Sequence, residues 1–244
     1  MLILLPPSET KRPGGVGISL SQLAIIWAAL EPTRVLLYQA LEKLAVNPDQ
    51  AAKALGLGKR NLADIEANLE LLTAPTMPAL QRYTGVLYDA LDFDSLSPAA
   101  IERANQQLFI QSALFGLLPA MEQIPYYRLS AGSKLPGINL KQIWTAAHEA
   151  VWPRMVGPIL DLRSKAYVEL NPVPADRESR FVEVMDDSGR ALNHFNKKAK
   201  GVFVRAALEQ GLSDYSEIPG LAQSCGLSAS VSATSVDLFV PEGF

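Results

Sequence analysis

Apolar positions along the chain occur both in short continuous runs and at helical spacing, which predicts strands mixed with helices. Leu2 to Leu5 form a continuous apolar run that two prolines stop, as expected for a buried strand at the start of a domain. Apolar residues recur at helical spacing over residues 20–30 and 35–44. The breaker Glu31-Pro32-Thr33 lies between them, so the pattern predicts two consecutive helices.

Further helical patterns are predicted along the chain, several with end signals. Ser97 precedes Pro98 as a cap with proline in the first turn, and Gly211 stands where a helix C-terminal glycine belongs. The predicted helices cover residues 98–114, 140–152 and 196–210. Residues 48–72 also have a helical pattern, which glycines interrupt.

The second half of the chain contains β-prone runs. They are Ile159–Leu162, Phe181–Met185 and Val236–Val240. Residues 186–189 (DDSG) are typical of a hairpin turn, which implies antiparallel pairing. We therefore predict an α/β (α+β) fold, in which a mixed sheet is surrounded by helices, as one compact domain over residues 1–244.

Composition narrows the class of protein. The chain has 244 residues, of which 48% are hydrophobic and 19% charged, and this composition is typical of a folded globular protein. The single cysteine, Cys225, permits no intrachain disulfide and favours a reducing compartment. The start has no secretory pattern and no apolar run is long enough to cross a bilayer, so we expect a cytoplasmic protein without a membrane partner. Because the chain has only two histidines and one cysteine, we predict no nitrogen- or sulfur-rich metal site. No cofactor is expected. The oligomeric state stays open.

A basic segment follows His194. On a helix its four basic residues share an arc of about 160°. They are Lys197, Lys198, Lys200 and Arg205. One interpretation is a solvated helix face above an apolar one. The other is an anion site. Three lysines at the positive end of the helix dipole interact unfavourably with it, and a bound phosphate would offset this repulsion.

Residues 54–59 (ALGLGK) offer a second candidate for anion binding. Gly56 and Gly58 before Lys59 fit the hairpin of a helix-hairpin-helix element over residues 48–72, whose amides contact nucleic-acid phosphates without reading sequence. The alternative is a glycine cap that joins two core helices.

Polar residues also gather after predicted strands, where α/β proteins commonly bind ligands. After the first strand come Ser8, Glu9 and Lys11, and after residues 159–162 come Arg163, Ser164 and Tyr167. Arg128 and Lys134 lie in a predicted irregular loop, residues 124–137. Glu9 and His194 are candidates for proton transfer, although His194 also fits a hydrogen-bonded loop histidine. His148 is expected to be structural.

Several segments, taken in order, resemble the YaaA family of bacterial peroxide-stress proteins. They are the apolar opening with its proline turn, YTGVLYDAL at 83–91, LFGLLPAMEQIPYYRLSAG at 114–132, DLRSKAY at 161–167 and HFNKKAKGVFVRAAL at 194–208. Together they span nearly the whole chain.

The resemblance implies a cytosolic protein, induced by hydrogen peroxide, that lowers reactive iron and so limits oxidative damage to DNA. It also implies a helix-hairpin-helix-like element beside a positively charged cleft, and DNA binding. Carried over to this chain, the hairpin comprises Gly56, Gly58 and Lys59. The cleft draws on Arg128, Lys134, Lys197, Lys198, Lys200 and Arg205.

Besides an interaction protein that has no site of its own, two functions remain open at this level. The first is a peroxide-stress protein that binds DNA through the basic cleft without sequence preference. The second is an enzyme that acts on a small anionic or nucleotide-like substrate in the same cleft, with lysines and Arg128 as an electrostatic clamp. We expect DNA binding to weaken steeply with salt, and binding in a closed pocket to depend on salt much less.

Overall fold

A seven-stranded mixed sheet forms the centre of the protein. The structure is a computed structural model that describes residues 1–58, 63–186 and 196–244. The strands are β1 Leu2–Leu5, β2 Met77–Pro78, β3 Leu108–Ser112, β4 Gly116–Pro119, β5 Gln123–Ile124, β6 Ile159–Asp161, β7 Ser179–Asp186, β8 Ser228–Val231 and β9 Ser235–Val240. The order across the sheet is β4-β3-β1-β6-β7-β9-β8, and β2 and β5 form a separate small pair.

Helices cover the sheet. They are α1 Glu31–Ala45, α2 Pro48–Leu55, α3 Ala63–Leu69, α4 Ala79–Arg82, α5 Val86–Leu91, α6 Pro98–Gln107, α7 Leu140–His148, α8 Lys165–Leu170, α9 Asn196–Gln210 and α10 Ile218–Ser224. In the described ranges, no helix has the length and apolar character needed to cross a membrane.

The mixed character predicted for the sheet is confirmed. Strands β3, β1, β6, β7 and β9 pair in parallel, whereas β4 and β8 pair antiparallel at the two edges. Every residue of β1, β3, β4 and β6 is buried, as expected where helices pack on both faces of a sheet. The protein is a single α/β domain.

The predicted helix over residues 20–30 is wrong. Two short 3-10 turns, Leu20–Gln22 and Ala28–Leu30, stand there, and Trp27 has a φ of 65°. Carbonyl groups freed from helical pairing are bound by the buried guanidinium of Arg34, which donates to the oxygen of Ile26 at 2.8 Å. Residues 31–33 begin α1 instead of breaking it, since proline is well tolerated in a first helical turn.

The predicted helix over residues 98–114 is correct only in its first part. Ser97 caps it as expected, with its Oγ accepting from the amide of Ala100 at 3.2 Å. The helix ends at Gln107, and Leu108 to Ser112 form the fully buried strand β3 beside β1. Burial between two strands overrides the helical periodicity of this segment.

The predicted hairpin after Phe181–Met185 is also corrected. Strand β7 runs to Asp186, and both of its partners in the described part of the chain, β6 and β9, are parallel. Residues 187–189 lie outside the described residues. The antiparallel pairs are β3 with β4 and β8 with β9.

Helix α9 matches its predicted bounds, and Gly211 follows it with a φ of 84°. The amides of Gly211 and Leu212 both donate to the carbonyl of Ala207, which caps the helix. Helix α9 packs closely against α5 at Gly201. This contact fixes the first turn of α9 beside the end of β1.

His148 is structural, as expected. It is buried, its Nε2 accepts from the amide of Leu117 at 3.1 Å, and its Nδ1 donates to the carbonyl of Trp144 at 2.7 Å. Burial lowers the pKa of His148 to about 4.

Candidate functional site

A crevice opens at the carboxyl edge of the sheet between β1 and β6. These parallel strands are neighbours, but the chain leaves β1 towards β3 on one side and leaves β6 towards β7 on the other. The loops after the two strands therefore diverge and leave a gap. Such a switch point is the usual ligand site of an open α/β sheet.

The crevice consists of two adjoining depressions of about 500 and 350 Å³. They share Pro6, Leu87, Ser164 and Lys197. The full lining comprises residues 6–10, 84–88, 162–165, 167, 181–184, 196, 197 and 200. Each depression lies within the size range of small-molecule sites.

Among the residues that the structure describes, three lysines line the crevice. Lys165 is largely exposed and lies 3.9 Å from the carboxylate of Glu183, and Lys197 is exposed in the first turn of α9. Lys200 is buried, and its Nζ donates to the carbonyl of Leu162 at 3.1 Å. Burial lowers the pKa of Lys200 to about 8. The crevice thus combines two exposed surface amines with one amine that is fixed and desolvated.

Arg163 lines the crevice, but its guanidinium is bound elsewhere. Its Nε and Nη2 donate to the two carboxylate oxygens of Asp161 at 2.9 and 2.7 Å, and its Nη1 donates to the carbonyl of Asn171 at 2.8 Å. Arg163 and Asp161 are both buried. The pair anchors the chain as it leaves β6 and positions Ser164 and Lys165 at the crevice.

Two hydroxyl groups lie on the β1 side. Ser8 Oγ is 3.1 Å from Thr10 Oγ1, which donates to the carbonyl of Thr84 at 3.0 Å. Gly85 has a φ of 99°, and an added Cβ would lie 3.0 Å from Thr10 Oγ1 and 3.3 Å from Ser8 Oγ. A glycine therefore allows the loop before α5 to approach these hydroxyls closely.

A layer of buried tyrosines supports the loop after β1. Tyr88 donates to the carbonyl of Pro6 at 2.7 Å, and the hydroxyls of Tyr83 and Tyr127 are 2.7 Å apart. Tyr167, predicted as a pocket residue, lines the crevice and accepts from the amide of Ala131 at 3.3 Å. Burial raises the pKa of each hydroxyl, so all four stay neutral. Tyr83, Tyr88 and Tyr127 entered the sequence analysis only through the family-like segments, because their roles depend on contacts distant in sequence.

Lys11 is not part of this lining. It is 8% exposed, and its Nζ donates to the carbonyls of Ser8 and Glu9 at 3.1 and 3.3 Å. The same Nζ lies 4.4 Å from the ring centre of Tyr127. Burial, followed by the nearby charge of Arg128, lowers the pKa of Lys11 to about 7.

Arg128 and Glu9 form an ion pair at the edge of the crevice. Arg128 Nη2 lies 2.8 Å from Glu9 Oε2, and its Nη1 donates to the carbonyl of Glu9 at 3.3 Å. The backbone of Arg128 is held by the amide side chain of Asn68 through bonds of 2.9 and 2.8 Å. Arg128 thus helps to hold the loop after β1, while Glu9 lines the crevice.

The remaining basic residues of the predicted cleft lie apart from the crevice. Arg205 donates to the carbonyls of Leu91, Asp92 and Ser95, and Lys198 Nζ lies 4.6 Å from the ring centre of Phe244. Lys134 is exposed on the loop that docks on α2 through its amide. The basic helix face is therefore divided, and Lys197 and Lys200 alone of its four basic residues line the crevice.

The hairpin of the helix-hairpin-helix element stays a prediction, because Lys59 lies outside the described residues. Helices α2 and α3 flank the segment. Gly56 has a φ of 66°, and its amide together with that of Leu57 bonds back to α2 carbonyls as a helix cap. Gly58 is exposed.

His194, a candidate for proton transfer, also lies outside the described residues. Within the described ranges, no three His, Cys, Asp or Glu side chains come together as a metal site.

The fold and the crevice define a single-domain α/β protein whose mixed sheet carries an amine-lined crevice at its switch point. The family described as peroxide stress protein YaaA matches residues 1–230. The chain belongs to this family.

Relatives align over most of the chain. A UPF0246 protein of Corynebacterium efficiens is 39% identical over 239 residues, which cover 95% of each chain. A UPF0246 protein of Streptomyces coelicolor is 38% identical over 86% of this chain and 84% of its own. An uncharacterized protein of Campylobacter jejuni is 25% identical over 89% of each chain.

Proposed function

We propose that this member of the peroxide-stress family binds a small phosphate-bearing anion of about nucleotide size in the crevice between β1 and β6. The observation that carries the proposal is the placement of three lysine amines, from α9 and from the start of α8, around one gap at the switch point of the sheet.

The electrostatics of α9 support an anionic ligand. Helix α9 begins at Asn196 on the crevice wall, and its first turn contains no acidic residue but carries Lys197 and Lys198, with Lys200 just beyond it. Cations at this end oppose the helix dipole, at a cost of about 0.3–1 kcal/mol each at exposed sites. A bound phosphate offsets this repulsion and adds charge-assisted hydrogen bonds.

Hydroxyl and carboxylate groups face the same gap. Ser8 and Thr10 offer hydroxyls for hydrogen bonds to a sugar or a phosphate, and Glu9 supplies a carboxylate for proton transfer. If the bound anion is a substrate, Lys200 is the electrostatic anchor, because its amine is held in place by the carbonyl of Leu162.

Binding of nucleic acid is the second candidate. Lys165 and Lys197 are exposed at the crevice and Lys198 is exposed beside Lys197 on α9, and exposed amines contact backbone phosphates without sequence preference. A role in limiting iron-driven oxidative damage would then be indirect, through protection of DNA. The two histidines and one cysteine of the chain supply few ligands for ferrous iron.

One experiment separates the two candidates. Binding of ATP and of a labelled DNA duplex is measured at about 50 and 200 mM salt for the wild type, Lys197→Ala and Lys198→Ala. Lys198→Ala is the matched control, since Lys198 neighbours Lys197 but does not line the crevice.

We expect ATP binding to weaken at least fivefold in Lys197→Ala and to stay unchanged in Lys198→Ala. Duplex binding that falls steeply with salt and weakens equally in both variants supports the nucleic-acid function instead. Binding of neither ligand at low salt contradicts both proposals.

A further inference from the structure

Lys11 is a buried amine without a carboxylate partner. Lysine is almost never fully buried unless it is paired, yet within the described part of the chain Lys11 forms no ion pair. Its Nζ is held by two backbone carbonyls and by the ring faces of Tyr127 and Tyr83, at 4.4 and 5.5 Å from the ring centres. These contacts position the amine without requiring a permanent charge.

Lys11 also lines a cavity of about 460 Å³ that shares no lining residue with the crevice. Alanine and proline side chains of α3 and of the loops around it make up much of the wall. The polar groups include the carboxylate of Asp64, which accepts from the hydroxyl of Tyr126 at 2.6 Å, and the carboxylate of Glu70. Two carboxylates and an apolar wall disfavour an anion and suit an uncharged molecule.

We propose that this cavity is a second site, in which the amine of Lys11 forms an imine with an uncharged aldehyde or ketone. A desolvated lysine beside another cation is the usual form of an amine that attacks carbonyl carbon. The second cation here is Arg128, held next to Lys11 by its ion pair with Glu9.

The reaction is balanced without a further reactant. The lone pair of the neutral amine attacks the carbonyl carbon, and one proton leaves the nitrogen while one is taken up by the carbonyl oxygen, which gives a carbinolamine. Loss of the hydroxyl as water, together with the remaining N–H proton, leaves the carbon–nitrogen double bond. Tyr126 and Asp64, which share a hydrogen bond on the cavity wall, are the groups that would exchange these protons.

The charges around Lys11 favour its neutral form at neutral pH. Burial is the main cause and Arg128 the next, and Arg82 acts in the same direction. Asp64 and Glu9 oppose them, and the resulting pKa is about 7. An exposed lysine of ordinary pKa holds well under one amine in a thousand unprotonated at pH 7. Lys11 therefore has a large kinetic advantage over the surface lysines.

The test is reductive trapping. The native protein is treated with benzaldehyde and cyanoborohydride at about pH 7, and the labelled lysines are mapped by peptide mass spectrometry. We expect the extent of labelling at Lys11 to exceed the mean of exposed Lys43, Lys53 and Lys141 at least tenfold. Protein unfolded in guanidinium is the control, because the advantage of Lys11 must disappear with the cavity.

Two comparisons sharpen the test. Phosphate or ATP, added to occupy the crevice, should leave labelling of Lys11 unchanged, which separates this site from the one proposed above. Lys11→Met should lose the preferred label while labelling of Lys43, Lys53 and Lys141 stays unchanged. Labelling of Lys11 at or below the mean of the surface lysines in the native protein overturns the proposal, as does equal labelling in the native and unfolded states.

Discussion

Gly201 lies where α9 passes α5, and replacement by alanine tests whether this contact fixes the crevice wall. A Cβ at this position would overlap the carbonyl oxygen of Leu87 and lie 2.8 Å from Ala90 Cβ. Because a backbone carbonyl cannot turn aside as a side chain can, the two helices must separate. Leu87, Lys197 and Lys200 line the crevice, so their spacing would change as well.

The magnitude follows from two opposed effects. Alanine in a helix interior is favoured over glycine by about 0.5–1 kcal/mol. Overpacking of a filled site costs about 1–3 kcal/mol, and here the obstacle is backbone. We expect Gly201→Ala to lower the free energy of unfolding by about 1–2 kcal/mol, which in a chain of this size lowers the melting temperature by roughly 2–8 °C.

Gly220→Ala is the matched control. Gly220 lies in α10, and an added Cβ would meet no atom within 4 Å, so the propensity effect acts alone. The free energy of unfolding should rise by about 0.5–1 kcal/mol. Both variants are measured by urea and thermal unfolding, with ATP binding as a second assay. Gly201→Ala as stable as the wild type would refute the reasoning about the α5–α9 contact.

Three further predictions concern buried charged and titratable groups. Since burial lowers the pKa of His148 from 6.5 to about 4, the unfolded chain takes up this proton first, and the free energy of unfolding should fall by up to about 3 kcal/mol as pH drops through this range. Urea unfolding of His148→Gln should lack this contribution, and equal pH slopes would contradict it. Arg82→Met should cost about 3 kcal/mol or more in urea unfolding, because the buried guanidinium donates to four backbone carbonyls that would lose their partner; a loss under about 1 kcal/mol would show that water replaces it. Burial lowers the pKa of Lys11 and Lys200 to about 7 and about 8 from 10.5, so the unfolded chain holds more protons above pH 7 and the free energy of unfolding from these groups should rise towards pH 10. The pH dependence of urea unfolding should be flatter in Lys11→Met/Lys200→Met, and an unchanged dependence would oppose the burial argument.

Elements with strong local signals could be predicted from the sequence. Strand β1 is a continuous apolar run, strand β9 is a short β-prone run, and helix α9 has a full helical period with a terminal glycine; these patterns depend on neighbours in the chain. The mixed α/β class and the family resemblance came from the same local patterns. Ser97 as a cap was predictable for the same reason.

Elements that depend on distant partners could not be predicted. The periodicity of strand β3 is ambiguous and favours a helix, and only pairing with the edge of β1 selects the extended form. Residues 20–30 have the spacing of a helix, but their carbonyls are bound by Arg34 from the following helix. In both cases a contact across the fold decides between conformations of similar local energy.

The candidate site divides in the same way. The sequence by itself placed polar residues after β1 and β6 and concentrated lysines at the start of α9, since strand ends and helix starts are local features. Only the tertiary structure decided which of these charged side chains line the same crevice. Lys197 and Lys200 line the crevice, Arg205 is bound by carbonyls after α5, and Lys11 is buried beside another cavity. The physical reason is that a cation takes the nearest acceptors that packing provides, and sheet order and helix contacts determine those acceptors.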